Sequence, residues 1–79
     1  MVDLSIMDIK VKIGQRIKEL RKNIGISQEA LAYQAEVDRT YVTDVENGRR
    51  NVSVEILDRL IKALDVSIAE FFNAKEFKK

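Results

Sequence analysis

At 79 residues, with 46% hydrophobic and 34% charged content and no proline, the chain makes one small domain, large enough for a single core and only marginally stable alone. Cysteine and histidine are both absent, which excludes disulfides, thiolate or imidazole metal sites and every triad or dyad built on His or Cys. The formal charge of +1 is spread unevenly, with six Lys/Arg against three Asp/Glu in residues 1–22, three against five in 23–51 and five against five in 52–79, and this argues against a nonspecific polybasic binder.

Ile6, Ile9, Ile13, Ile17 and Leu20 keep helical spacing and predict a first helix that ends near Asn23. Its start lies either at the capping box formed by Ser5 to Asp8 or nearer Asp8 itself. Lys10, Lys12, Lys18 and Lys22 read as a solvated face of this helix, with direct phosphate contact as the alternative. Gly25 can take the left-handed conformation that closes it, with Ile26 folding back onto the last turn. Ser27 caps a second helix, Glu29 sits near its positive end, and Leu31, Ala32 and Ala35 turn inward. Asp38 is expected to cap a third helix in the same way. There Val42 and Val45 face inward at i, i+3, while Arg39, Thr40, Thr43 and Asp44 stay outward. Ser53 caps a fourth helix over 54–64, whose Leu57, Ile61 and Leu64 form a core stripe. Ser67 and Glu70 make a second capping box, opening a short fifth helix through Ile68, Phe71 and Phe72. Five helices and no strands follow, an all-α domain spanning 1–79.

Residues 28–51 therefore read as helix, turn, helix and basic loop. Small Ala32 lets two helices cross closely and Val37 plugs the turn. Such a unit can lay its second helix in the major groove of DNA. Arg39 has the fork that matches guanine O6 and N7; the structural alternative is an ion pair with Asp38 or Glu36. Thr40 can bond a phosphate or press its methyl on thymine. Tyr41 either packs against helix four or reaches the sugar-phosphate backbone with its hydroxyl. Thr43 and Asp44 lie further along the same face, where a carboxylate repels phosphate but accepts from cytosine N4. Asn47, Arg49, Arg50 and Asn51 complete the candidate DNA-contacting set in the loop after Gly48.

Arg21 followed by Ile24-Gly25-Ile26-Ser27-Gln28, then Leu31-Ala32, Val42 with Val45-Glu46-Asn47-Gly48, and Ala63-Leu64-Asp65-Val66-Ser67 form a pattern that is specific as a set. From about residue 13 to 72 it resembles the helix-turn-helix domain of phage repressor and Cro proteins, and within that group the short controller proteins of restriction-modification systems. The resemblance implies a compact five-helix, lambda-repressor-like fold with its helix-turn-helix at about 28–47 and C-terminal helices at about 53–75 serving core and dimerisation. It further implies that Gln28 clamps the phosphate backbone, that the loop with Arg49 and Arg50 runs along the phosphates, and that Arg21 and Glu46 form a partly buried ion pair tying the recognition helix to the scaffold. One position departs from the pattern: the family often has Gly where this chain has Glu36, and a left-handed non-Gly residue there costs about 1 kcal/mol.

Helix four bears more apolar surface than one core stripe needs. Beside Leu57, Ile61 and Leu64 runs a second row of Ile56, Leu60 and Ala63, which with Phe72 and Phe77 is expected to form a homodimer interface; the competing account wraps both rows inside the domain. A twofold dimer calls for a pseudo-palindromic operator with half-sites about one DNA turn apart. The expected function is sequence-specific transcription regulation, repressing or activating from an operator on double-stranded DNA, with control by protein concentration and with a contact to RNA polymerase where it activates. The alternative class is an antitoxin or other protein-interaction module on the same fold. An enzyme is disfavoured, because Asp44 and Glu46 are two residues apart on a helix and point to different faces. No metal, cofactor or small-molecule ligand is expected. With no apolar run of 18 residues and no basic start leading into an apolar stretch, neither a membrane span nor a secretory signal is expected, and a cytoplasmic location is.

Overall fold

The computed structural model describes residues 8–78, so Ser5 and Ile6 of the anticipated capping box lie outside the described residues. Helix α1 runs Ile9–Asn23, with Asp8 as its cap: the carboxylate accepts from the Lys10 N–H at 2.8 Å. It closes in a Schellman turn. Gly25 sits at φ 73°, and the Ile26 N–H reaches back to the Arg21 carbonyl at 3.2 Å.

Helix α2, Gln28–Ala35, starts where the Ser27 hydroxyl accepts from the Ala30 N–H at 3.0 Å. It ends on Glu36 at φ 60° and ψ 45°, the left-handed conformation that glycine adopts more cheaply. Arg59, from the fourth helix, supports this turn. Its Nε and Nη2 donate to the Ala35 and Glu36 carbonyls at 3.1 and 2.9 Å, satisfying acceptors that the helix end leaves open.

Helix α3, Arg39–Glu46, corrects one expectation. Asp38 has the extended backbone of a cap, but its side chain makes no capping bond, unlike Ser27. The carboxylate is exposed, as is that of Asp8, which does cap α1, so exposure alone does not explain the missing bond. Helix α4, Val54–Ala63, is capped by Ser53 through the Ile56 N–H at 3.2 Å, and α5, Ile68–Phe72, by Ser67 through the Glu70 N–H at 3.0 Å. A 3₁₀ turn, Lys75–Phe77, follows and packs on α1. All six elements are helical, and among the described residues none is long and apolar enough to cross a membrane.

Helix α3 packs against both α1 and α2, while α4 covers α2 and α5. The crossing of α1 over α3 is set by Gly14: a Cβ there would stand 2.2 Å from the Val45 carbonyl oxygen, so no other residue fits without moving a helix. Ile17 from α1, Leu31 from α2, Val42 from α3, Leu60 from α4 and Phe71 from α5 meet in the centre with no exposed surface, each burial worth about 1.5–3 kcal/mol.

Leu60 therefore leaves the anticipated dimer row. Its side chain is 0% exposed within one chain and has no surface to offer a second. The two rows on α4 are not two faces, because at 100° per residue Leu60, Leu64 and Ile61 share one arc of about 100°, the width of a single buried stripe. Leu57 lies within that arc one turn earlier, and Ile56 and Ala63 lie at one margin, all three half-buried against the core. Phe72 is 37% exposed and meets Phe71 and Phe77 at centroid distances of 5.0 and 4.9 Å. Phe77, anticipated as surface, is instead half-buried in that trio.

Five residues are too few for α5 to persist alone. Phe71 anchors it in the core, and Arg16 of α1 clamps its end, donating from Nε to the Phe71 carbonyl at 2.7 Å and from Nη2 to the Glu70 carbonyl at 2.8 Å.

Candidate nucleic-acid interface

Because Val42 and Val45 fix one side of α3 in the core, the helical repeat turns Arg39, Thr40, Thr43, Asp44 and Asn47 to the opposite side. Arg39, Thr40 and Asn47 are exposed there, as are Arg49, Arg50 and Asn51 in the following loop; Thr43 and Asp44 are half-buried. No ion pair engages Arg39 among the described residues, so neither Asp38 nor Glu36 holds its guanidinium.

Four of the candidate side chains, Gln28, Thr43, Asp44 and Arg50, have partners inside the chain. Gln28, at the start of α2, donates from Nε2 to Glu46 Oε1 at 3.0 Å, and its Oε1 accepts from the Thr43 hydroxyl at 2.8 Å. Asp44 lies 3.6 Å from the Arg50 Nη2, and that guanidinium stacks 4.4 Å from the centroid of the Tyr41 ring. The Tyr41 ring is half-buried against the core, and it also carries the Arg50 guanidinium, a contact neither offered role described. A carboxylate that would repel phosphate is partly neutralised by the loop arginine beside it.

Beneath this face the Arg21 guanidinium meets Glu46 through two parallel bonds, Nε to Oε2 at 2.6 Å and Nη2 to Oε1 at 2.9 Å, and its Nη1 donates to the Ile26 carbonyl at 2.9 Å. The Glu46 side chain is 1% exposed. Hydrogen bonding to Glu46 raises the Arg21 guanidinium above its already high range; burial opposes this and the attraction of the carboxylate adds to it.

The family model described as helix-turn-helix matches residues 17–71, which spans the core of this arrangement from α1 to α5. The chain belongs to the helix-turn-helix family. Among helix-turn-helix proteins it is 42% identical over 67 residues to the control protein C.MunI of Mycoplasma sp., covering 84% of this chain and 90% of that one. The crystal structure of the restriction-modification controller protein C.AhdI from Aeromonas hydrophila superposes with a TM-score of 0.77 at 48% identity, covering 81% of this chain and 97% of that one. The controller protein C.Esp1396I, solved as a tetramer in complex with its natural 35 base-pair operator, superposes with a TM-score of 0.85 at 36% identity, covering 92% and 99%.

Sequence reasoning missed two arginines in this helix-turn-helix unit and its support. Arg59 holds the α2 turn from 23 residues away and Arg16 holds α5 from more than fifty, and no local pattern signals either. Asp65 was missed too. It takes a left-handed φ of 62° after α4, where neither Gly nor Asn marks the turn.

Proposed function

We propose that this protein is a sequence-specific DNA-binding transcription regulator of the controller type, occupying a pseudo-palindromic operator as a homodimer in the cytoplasm. The observation that carries this reading is the likeness over 92% of the chain to a controller protein bound to its operator, joined to an α3 face that leaves Arg39 unpaired and exposed. Arg39 would fork onto a guanine edge, while Arg49, Arg50, Asn47 and Asn51 follow the phosphates and Gln28 donates to the backbone from the start of α2. Thr40 stands beside Arg39 to contact backbone or a thymine methyl. Repression follows from occupancy of a promoter, and activation requires a contact with RNA polymerase.

The dimer patch comprises Ile56, Ala63 and Phe72, extended by Ile68 of α5, which is 57% exposed and adds apolar surface that a monomer leaves wet. Two recognition helices set about 34 Å apart then meet successive major grooves. Selection of bound fragments from random duplex DNA tests the reading: an enriched inverted repeat with half-sites about one turn apart supports it, and a pool that stays random refutes it.

A further inference from the structure

Resting on the DNA-binding reading above, we infer that Thr43 is a specificity-determining residue that favours adenine or cytosine over guanine or thymine, because a chain of hydrogen bonds from the buried ion pair fixes its hydroxyl as an acceptor. The chain begins at Glu46. Both carboxylate oxygens take hydrogens from the Arg21 guanidinium, and Oε1 takes a further one from Gln28. A carboxylate in that pair only accepts, so the Gln28 amide must point its NH₂ end at Glu46 and its carbonyl oxygen at Thr43. That oxygen cannot donate. The single hydroxyl hydrogen of Thr43 therefore goes inward to Gln28 Oε1, 2.8 Å away. The other neighbour of the hydroxyl is the Arg39 carbonyl at 3.1 Å, also a pure acceptor, so either choice spends the hydrogen within the chain.

What remains on the groove side is a lone pair. In the major groove, adenine N6 and cytosine N4 present amine hydrogens, whereas guanine O6 and thymine O4 present acceptors at the corresponding position of the strand being read. A hydroxyl locked as an acceptor pairs with the first two and sets oxygen against oxygen with the others. The same chain assigns Gln28 a complementary role. One amide hydrogen is held by Glu46, and the second has no partner within the network, which suits a phosphate oxygen. Thr43 thus accepts from a base while Gln28 donates to the backbone, and Arg21, touching neither, is a positioning residue for both.

The test is selection of bound sites from a random duplex pool by the wild-type chain and by the Thr43→Ser and Thr43→Val variants, with circular dichroism on each. The wild-type and Thr43→Ser proteins are expected to require an adenine or cytosine at one position of each half-site, and Thr43→Val, which keeps the shape and loses the hydroxyl, to accept guanine or thymine there. Replacing that base in the wild-type site by its analogue without the exocyclic amine, purine for adenine or 2-pyrimidinone for cytosine, should weaken wild-type binding about 3- to 10-fold, the effect of one neutral hydrogen bond, and leave Thr43→Val binding unchanged. The assignment is overturned if the Thr43-dependent position selects guanine or thymine, if the analogue costs the wild type nothing, or if Thr43→Val leaves the whole profile intact. A wild-type chain that enriches no motif overturns the DNA-binding reading itself, and the assignment with it.

Discussion

Arg21 of α1 and Glu46 at the end of α3 close on each other through paired bonds of 2.6 and 2.9 Å, with the carboxylate almost wholly out of water. Taking two charges out of water costs nearly what their attraction returns, so the pair as a whole adds little stability. Removing one member is different. Arg21→Met leaves a buried carboxylate without its cation and is expected to cost about 3–5 kcal/mol, while the double variant Arg21→Met with Glu46→Leu recovers most of that loss. Urea denaturation of the wild type, both single variants and the double variant measures the coupling, and strictly additive costs would contradict it.

Glu36 and Arg59 form a second relationship, in which a strained turn is supported from another helix. Glu36→Gly relieves the left-handed conformation and is expected to add about 1 kcal/mol of stability, or about 4–8 °C in Tm for a domain of this size. Arg59→Ala leaves the Ala35 and Glu36 carbonyls without that donor and should lower Tm. Thermal unfolding followed at 222 nm checks both, and a lower Tm for Glu36→Gly would refute the strain argument.

Arg39 and Arg50 separate reading from positioning. Arg39→Ala should cost about 1–3 kcal/mol on the selected site and relax preference at one base pair. Arg50, held between Asp44 and the Tyr41 ring, should instead serve all sequences alike, so Arg50→Ala lowers the salt slope by about 1. Titrations at several salt concentrations against single-base variants distinguish the two. An unchanged preference profile for Arg39→Ala, or a parental salt slope for Arg50→Ala, removes the corresponding role.

Much of this architecture was legible because it is local. Ser27, Ser53 and Ser67 announce three helix starts, Gly25 announces an end, and the inward pairing of Val42 with Val45 orients α3. The failures share a physical cause. Periodicity on α4 shows which residues are apolar, but how wide an arc its neighbours cover is decided by α2 and α5 packing from two sides, so Leu60 reads as surplus when it is core. The cap at Asp38 fails because residue type signals a capping side chain without fixing the rotamer that makes the bond. At the candidate site, sequence marks Gln28, Thr43 and Asp44 as polar and outward; the Gln28 bonds to Glu46 and Thr43 appear only once α2 and α3 are packed, and the Asp44 ion pair appears once the loop after α3 turns Arg50 back.

The burial of Leu60 sharpens the test of association. Ile68→Asp and Phe72→Asp should shift a dimeric wild type towards monomer at tens of micromolar, well above the ~1 μM constant of a transient dimer, while keeping the helical spectrum. Leu60→Asp should unfold the chain, since it places a charge where no surface is exposed. Sedimentation equilibrium with circular dichroism reads both effects, and a monomeric wild type would refute the dimer.

The most direct test of the account is a competition titration of the wild-type chain on its selected duplex against random duplex of equal length at about 0.15 M salt, with the stoichiometry read by sedimentation. Two chains per site and a preference of at least about 10³-fold over random DNA are expected of a specific regulator. Equal affinity for both duplexes, or a single chain bound per site, would contradict it.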